Sequence, residues 1–185
     1  MSTVPNTNLM TAEELWERAT NLGHCELIRG ELNQMTPSGG THSFVGMRLL
    51  RALDRFIQDR DLGELTLAET GFRLETNPDT VRAPDIAFIA ADRLAQAKTP
   101  KFIPIAPDLA VEVNSPNDRA GEVVEKVRWW LTHGTRGVWV VDPKTSTITA
   151  YHPDGTARVF AVGQTLDGGE VLPGFTLDLE AFFSE

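Results

Sequence analysis

Hydrophobic positions recur with a helical period in three stretches of the chain. The first covers residues 12–21. It follows Thr11-Ala12-Glu13-Glu14, a capping box in which the Thr11 hydroxyl accepts from the Glu14 amide and the Glu14 side chain reaches back. Met10 and Leu15 supply the accompanying hydrophobic staple. In the second, from residue 42 to 60, Val45, Leu49, Leu50, Leu53, Phe56 and Ile57 share one broad face, with Arg48, Arg51 and Arg55 on the other. The third opens at Ser115-Pro116-Asn117-Asp118, with Asp118 the expected cap, and buries Val123, Val124, Val127, Trp130 and Leu131 before Gly134 closes it.

Between these helices the pattern is strand-like. Residues 25–32 form a hairpin around Gly30. Residues 64–75 and 81–90 make two strands divided by the turn Asn77-Pro78-Asp79, and 91–107 a short helix and a Pro-punctuated loop. Residues 108–114 and 137–141 are buried strands, 147–151 and 157–162 a hairpin, and 175–183 a closing strand or short helix. The order α-β-β-α-β-β-β-α-β with a β-rich tail predicts one mixed α/β domain over 10–185, after a flexible stretch at 1–9.

Composition narrows the class. A chain of 185 residues can bury a substantial core. No apolar run approaches the roughly 18 residues that span a bilayer, and residues 1–9 lack the basic and apolar regions of an export signal. With its single cysteine, Cys25, this leads us to expect a cytoplasmic protein without membrane partners. The net charge of −9, from 17 Lys plus Arg against 26 Asp plus Glu, argues against a nucleic-acid partner, since phosphate contacts need cations. The imbalance is local: from Gly137 onward only Lys144 and Arg158 face Asp142, Asp154, Asp167, Glu170, Asp178, Glu180 and Glu185. The remainder is close to balanced.

Two apolar strands each carry a carboxylate. Asp85 lies in Ala83-Pro84-Asp85-Ile86-Ala87-Phe88-Ile89 and Glu112 in Leu109-Ala110-Val111-Glu112-Val113. Burying an unpaired carboxylate costs several kcal/mol, so each needs a partner. A shared hard cation such as Mg²⁺ is one solution; an arginine such as Arg82 or Arg73 is another. Asp108 also follows a proline, but it is separated from Glu112 by roughly 13 Å along one strand, too far to share an ion. Neighbouring strands at about 4.8 Å would bring Asp85 and Glu112 together. Lys126, on the following helix, lies at the edge of the apolar face and can reach toward the strand ends; a surface pair with Glu122 is the alternative.

These residues resemble the core of the restriction-endonuclease-like, or PD-(D/E)xK, phosphodiesterase superfamily, and more closely the bacterial Uma family of restriction endonucleases. The resemblance is carried by Glu26-Leu27-Ile28-Arg29-Gly30-Glu31, His42 at a helix start, Arg82-Ala83-Pro84-Asp85-Ile86-Ala87-Phe88, and Pro107-Asp108-Leu109-Ala110-Val111-Glu112-Val113-Asn114-Ser115-Pro116. It continues through Lys126 and Gly137-Val138-Trp139-Val140-Val141-Asp142-Pro143, and spans residues 10–183. It implies a central mixed β-sheet flanked by helices, with an N-terminal helix plus hairpin and a β-rich C-terminal extension. It further implies that Asp85, Glu112 and the Val113 carbonyl bind Mg²⁺ or Mn²⁺, that Lys126 supplies the catalytic amine, and that Glu26 is an accessory acid. His42 would touch a phosphate. Two departures stand out: Asn114 occupies the position two after Glu112 where the superfamily has its lysine, and Trp130 stands where a tyrosine is expected.

The resulting expectation is a metal-dependent endonuclease acting on nucleic acid, DNA first, as a homodimer that pairs two sites for two strands. The competing readings are a catalytically idle nuclease fold serving as a binding or assembly module, favoured by Asn114 and the charge, and a metal hydrolase of small phosphate esters.

Overall fold

A computed structural model describes residues 9–116 and 118–184. Residues 1–8 of the expected flexible N-terminus, and Asn117 of the helix-start signal, lie outside the described residues.

The chain opens with α1 (Ala12–Leu22), capped as its sequence requires: the Thr11 hydroxyl accepts from the Glu14 amide while the Glu14 carboxylate accepts from the Thr11 amide at 2.8 Å. A hairpin follows, β1 (Cys25–Ile28) and β2 (Glu31–Gln34), turned at Arg29 and Gly30, both with positive φ. Two central residues of positive φ suit the twist of paired strands, which is why a glycine sits there. Next come α2 (Gly40–Gln58), β3 (Gly63–Leu67), β4 (Phe72–Glu75), β5 (Thr80–Arg82) and β6 (Ile86–Ala90). A 3-10 turn and α3 (Leu94–Ala97) lead through a loop to β7 (Leu109–Val113), α4 (Ala120–Thr132) and β8 (Gly137–Asp142). The tail is β9 (Thr147–Tyr151), β10 (Ala157–Ala161), β11 (Thr165–Asp167), β12 (Thr176–Asp178) and α5 (Leu179–Ser184).

Six strands form the central sheet in the order β10-β9-β8-β7-β6-β3. It is mixed: β7 and β8 run parallel, and every other neighbouring pair is antiparallel. A parallel pair needs a crossover, and α4 provides it. The order β2-β1-β5-β4 makes a second, antiparallel sheet, and β11 pairs with β12 alone.

Period-two alternation assigns the central sheet's side chains to two layers. Ile86, Phe88, Leu109, Val111, Val113, Trp139 and Val141 face α2 and α5, packing on Val45, Leu49, Leu53, Ile57 and Phe182. Ala87, Ile89, Ala110, Val138 and Val140 face α4, packing on Val127 and Trp130. A smaller core lies between α1 and the second sheet, around Leu15, Leu27 and Val81.

Three sequence expectations need correction. Residues 64–75 and 81–90 are not two strands but four. β3 and β6 join the central sheet, while β4 and β5 join the other. The breaks fall at 68–71, where a side chain at Gly71 would collide with Phe102, and at Ala83-Pro84-Asp85, where proline offers no amide to a ladder. Asp118 does not cap α4. Arg119 occupies the cap position without a side-chain bond, and the Asp118 carboxylate accepts from the Ser115 amide at 2.7 Å. Val124 is 46% exposed rather than buried, because only the Val127–Trp130 stripe of α4 reaches the sheet. On α2, Arg48 lies over the Phe182 ring, 5.6 Å from its centroid.

Candidate active site

Asp85 and Glu112 meet across the last rung of a ladder. β6 and β7 pair antiparallel with Ile86 opposite Val111, and one step further along each chain sets Asp85 opposite Glu112. Asp85 is not inside its strand, as the sequence suggested, but immediately precedes it. The ladder stops there because Pro84 has no amide to give. Beyond the last rung the Val113 amide donates to Asp85 Oδ2 at 2.7 Å. By alternation Asp85 continues the face of Ala87 and Ile89, and Glu112 that of Ala110. The Glu112 carboxylate therefore points toward α4, while that of Asp85 is held by His42 of α2 and the Val113 amide.

α4 answers with two side chains one turn apart. Lys126 Nζ lies 2.9 Å from Glu112 Oε2, and the Trp130 indole donates to Glu112 Oε1 at 2.8 Å. Both oxygens of a buried carboxylate are thereby partnered. Lys126 also reaches Glu26 Oε1 at 3.2 Å and donates to the Ala83 carbonyl at 3.3 Å. Glu26, on β1, accepts from the Ala83 amide at 3.0 Å and has Arg82 Nη1 at 3.9 Å. Glu26 thus holds the chain where it crosses from β5 to β6, the segment that delivers Asp85.

His42, in the first turn of α2, is the fourth side chain at the site. Its Nε2 is 3.3 Å from Asp85 Oδ2, with the Val113 carbonyl beside it. In an extended strand the amide and carbonyl of one residue share an edge, so the Val113 carbonyl faces the same way as the amide bound to Asp85.

The two carboxyls are pushed apart in acidity. Burial alone would raise Asp85, but bonds from His42 and the Val113 amide, with the charges of His42 and Lys126, hold it below the usual carboxylate range. Burial dominates at Glu112 and pushes it up to about 7, opposed by Lys126 and reinforced by the charges of Asp85 and Glu26. Lys126 goes up despite its own burial, through Glu112 and Glu26. His42 also rises, first through its bond to Asp85, against burial. Two neighbouring carboxyls with separated affinities for protons, beside a lysine, are a mark of sites built for chemistry.

These groups line a cleft of about 790 Å³, walled by β2 on one side and α4 on the other. The arginine alternatives for the two carboxylates are not taken. Arg73 pairs with Glu13 and Asp79, and Arg82 with Glu26 and Glu125. Nor does Lys126 pair with Glu122, which lies 3.7 Å from Arg119. Asp108 stays away from the cleft, fully buried and held by Arg93 at 2.9 Å and Arg136 at 3.5 Å. His133 is half-buried between Trp129 and Glu75. The sequence reading also missed the Trp130 bond to Glu112 and the Ala83 carbonyl. The one available signal was the spacing of Lys126 and Trp130 at i, i+4 on one helix face.

Residues 12–180 match the family Uma2, described as "Putative restriction endonuclease". The chain belongs to the Uma2 family. Among solved structures it is similar to a protein from Anabaena variabilis ATCC 29413, described as a "putative nuclease belonging to DUF820". The two are 22% identical with a TM-score of 0.77, over 95% of this chain and 98% of that one, a likeness that speaks for the fold alone. No curated protein matches. The Uma2 match begins at the first residue of α1 and runs into α5, so it takes in every side chain of the cleft described above.

Proposed function

We propose that this Uma2 protein is a metal-dependent endonuclease that hydrolyses phosphodiester bonds in nucleic acid, DNA in the first instance. One observation carries the reading: two carboxylates of unequal acidity meet across a strand end within reach of one lysine.

The donor set suits a hard cation. Among the described residues no three His, Cys, Asp or Glu side chains form a ready metal cage, so an ion held here would draw much of its shell from water and substrate. Mg²⁺ characteristically takes one or two carboxylates, keeps several waters and leaves room for substrate phosphate. Asp85, Glu112 and the Val113 carbonyl would hold it or Mn²⁺. When bound, such an ion lowers the pKa of water and offsets charge on phosphorus oxygens.

The chain's own residues do the rest. Lys126 keeps its proton and is anchored by Glu26 and the Ala83 carbonyl, so its ammonium is fixed in place to stabilise negative charge growing on the phosphoryl oxygens. Glu112, raised to about 7 by burial, would give up its proton on taking the cation, so binding of the ion should weaken as pH falls. Trp130 fixes the orientation of that carboxylate. His42 holds Asp85 and lines the same cleft as Lys126, where it could meet a substrate phosphate. Cutting both strands of a duplex would take two such sites, hence a homodimer, which gel filtration at several concentrations tests directly.

The rival reading, an idle fold that binds without cutting, is supported by Asn114 at the usual lysine position and by the glutamates Glu31, Glu69, Glu122 and Glu125 around the cleft. Incubation with supercoiled plasmid in Mg²⁺ or Mn²⁺ separates the two. Metal-dependent nicking, abolished by EDTA and by Asp85→Ala or Lys126→Ala, supports the nuclease. Retained nicking in Lys126→Ala removes the lysine from the mechanism. No nicking by the wild type, with no Mn²⁺ binding in calorimetry, leaves the idle module.

A further inference from the structure

A second groove, of about 570 Å³, opens beside the catalytic cleft and shares His42, Asn114, Ser115, Pro116, Asp118 and Val123 with it. The nuclease reading assigns it nothing. Its far wall is built from β8, β9 and the exposed side of α4: Tyr151, Thr149, Val140 and Val124. Tyr151 is partly exposed and is the single tyrosine of the chain, and Val124 is 46% exposed on the helix face that avoids the sheet. An apolar ledge ending on a phenol ring is thus continuous with the place where a phosphodiester would react.

Charge distinguishes the two cavities. Among the described residues three Lys or Arg side chains line them: Arg82, Lys126 and Lys144. Arg82 is held by Glu26 and Glu125, and Lys126 by Glu26 and Glu112. Lys144, at the rim of the second groove, has no carboxylate partner among the described residues. The two aspartates of this groove are turned to backbone amides, Asp118 to Ser115 at 2.7 Å and Asp142 to Lys144 at 2.9 Å. On the opposite side of the catalytic cleft stand Glu31 and Glu69, with no ion-pair partner among the described residues. Lys144 is therefore the one cation of the two cavities left without a carboxylate partner among the described residues.

We propose that the second groove is a nucleotide subsite. It holds one unpaired nucleotide next to the scissile phosphodiester, with Lys144 on its phosphate and the Tyr151 ring and Val124 against its base. The protein then grips its substrate on one side of the cut, and the gripped nucleotide is out of the duplex stack. This rests on the nuclease reading for the identity of the neighbouring site. Its own support is the juxtaposition of an unpaired cation, an aromatic ring and an apolar ledge in one continuous groove. Aromatic stacking on a base shows as weaker binding when the ring is truncated, and a phosphate contact shows in the salt dependence of binding.

The test uses the full chain and a fluorescein-labelled oligothymidylate, read by anisotropy without divalent metal and by cleavage with Mn²⁺. A chromogenic phosphodiester, bis(p-nitrophenyl) phosphate, reports the reaction centre alone. Tyr151→Ala should weaken oligonucleotide binding about tenfold and lower the ratio of oligonucleotide to chromogenic efficiency by a similar factor. Lys144→Ala should reduce the slope of log affinity against log salt by about 0.7, the increment of one phosphate on a single strand. Lys101→Glu, an exposed lysine outside both cavities, should change neither. Unchanged binding in both groove variants overturns the subsite even if the enzyme cuts. An equal loss on both substrates also overturns it, since the groove would then only support the centre. If the wild type hydrolyses neither substrate, the nuclease reading falls, and the anisotropy data still decide whether the groove takes a nucleotide.

Discussion

At Glu112 three neighbours compete for one carboxyl: the lysine that wants it charged, the indole that fixes its direction, and the apolar layer that resists its charge. Removing each has a separate signature. Lys126→Ala leaves Glu26 and Glu112 buried side by side without their cation. Breaking such a pair costs about 3–5 kcal/mol, so urea unfolding at neutral pH should show a loss of that order. The nicking assay on this variant therefore belongs at a temperature where circular dichroism shows it folded. Trp130→Phe keeps the ring but deletes the donor. It should cost about 2 kcal/mol in the same assay, as hydrogen bonds to charged groups do, and should weaken Mn²⁺ binding because the carboxylate is no longer aimed. The carboxylates were legible in the sequence because charge inside an apolar run demands an explanation. The indole donor was not, since a tryptophan on a helix's apolar face is first of all core, and 18 residues of chain separate it from Glu112.

Elements show the same division between what pattern carries and what contact decides. The capping box of α1 could be read directly, because all its partners lie within four residues. Thr11→Ala should cost about 1 kcal/mol, measurable as a lower urea midpoint. The partition of strands between two sheets could not be read. Alternation fixes which face a residue takes but not which sheet its strand joins, and so β3 and β4, or β5 and β6, looked like single strands. Where β4 meets the end of α4, Glu75 Oε1 lies 3.1 Å from His133 Nε2. Burial would raise the Glu75 carboxyl, but the neighbouring Thr80 and Trp129 side chains and the charge of His133 bring it below its usual value. A carboxyl depressed in the folded state stabilises above its unfolded pKa, and that contribution is lost as pH falls through the folded one. Glu75→Gln should therefore be less stable than the wild type near neutrality, by about 1 kcal/mol or less for so open a pair. The gap should close on acidification below about pH 4, as unfolding curves across the acid range would show.

For the whole molecule, element order and the central mixed sheet followed from periodicity and resemblance together, and the fold matches a solved structure over nearly its full length. Among the described residues no helix is long and apolar enough to cross a membrane. What escaped the sequence was the distribution of charge in space. A count of −9 is a property of the chain, whereas the pairing of Arg82 and Lys126, and the isolation of Lys144, exist only once the strands are in register. The ion pairs of Lys126 have a consequence for the order of events in the cell. Many small metalloproteins fold only as their ion arrives, because bare ligands repel one another. Here a resident ammonium already stands between Glu26 and Glu112 at 3.2 and 2.9 Å, so under the proposed function assembly would come first and metal loading afterwards. EDTA should then leave the melting temperature of purified protein where it was, while saturating Mn²⁺ should raise it. On the proposed metal-dependent reading, such a polypeptide could be made, stored and cleared without an ion, and would threaten phosphodiesters only on receiving one.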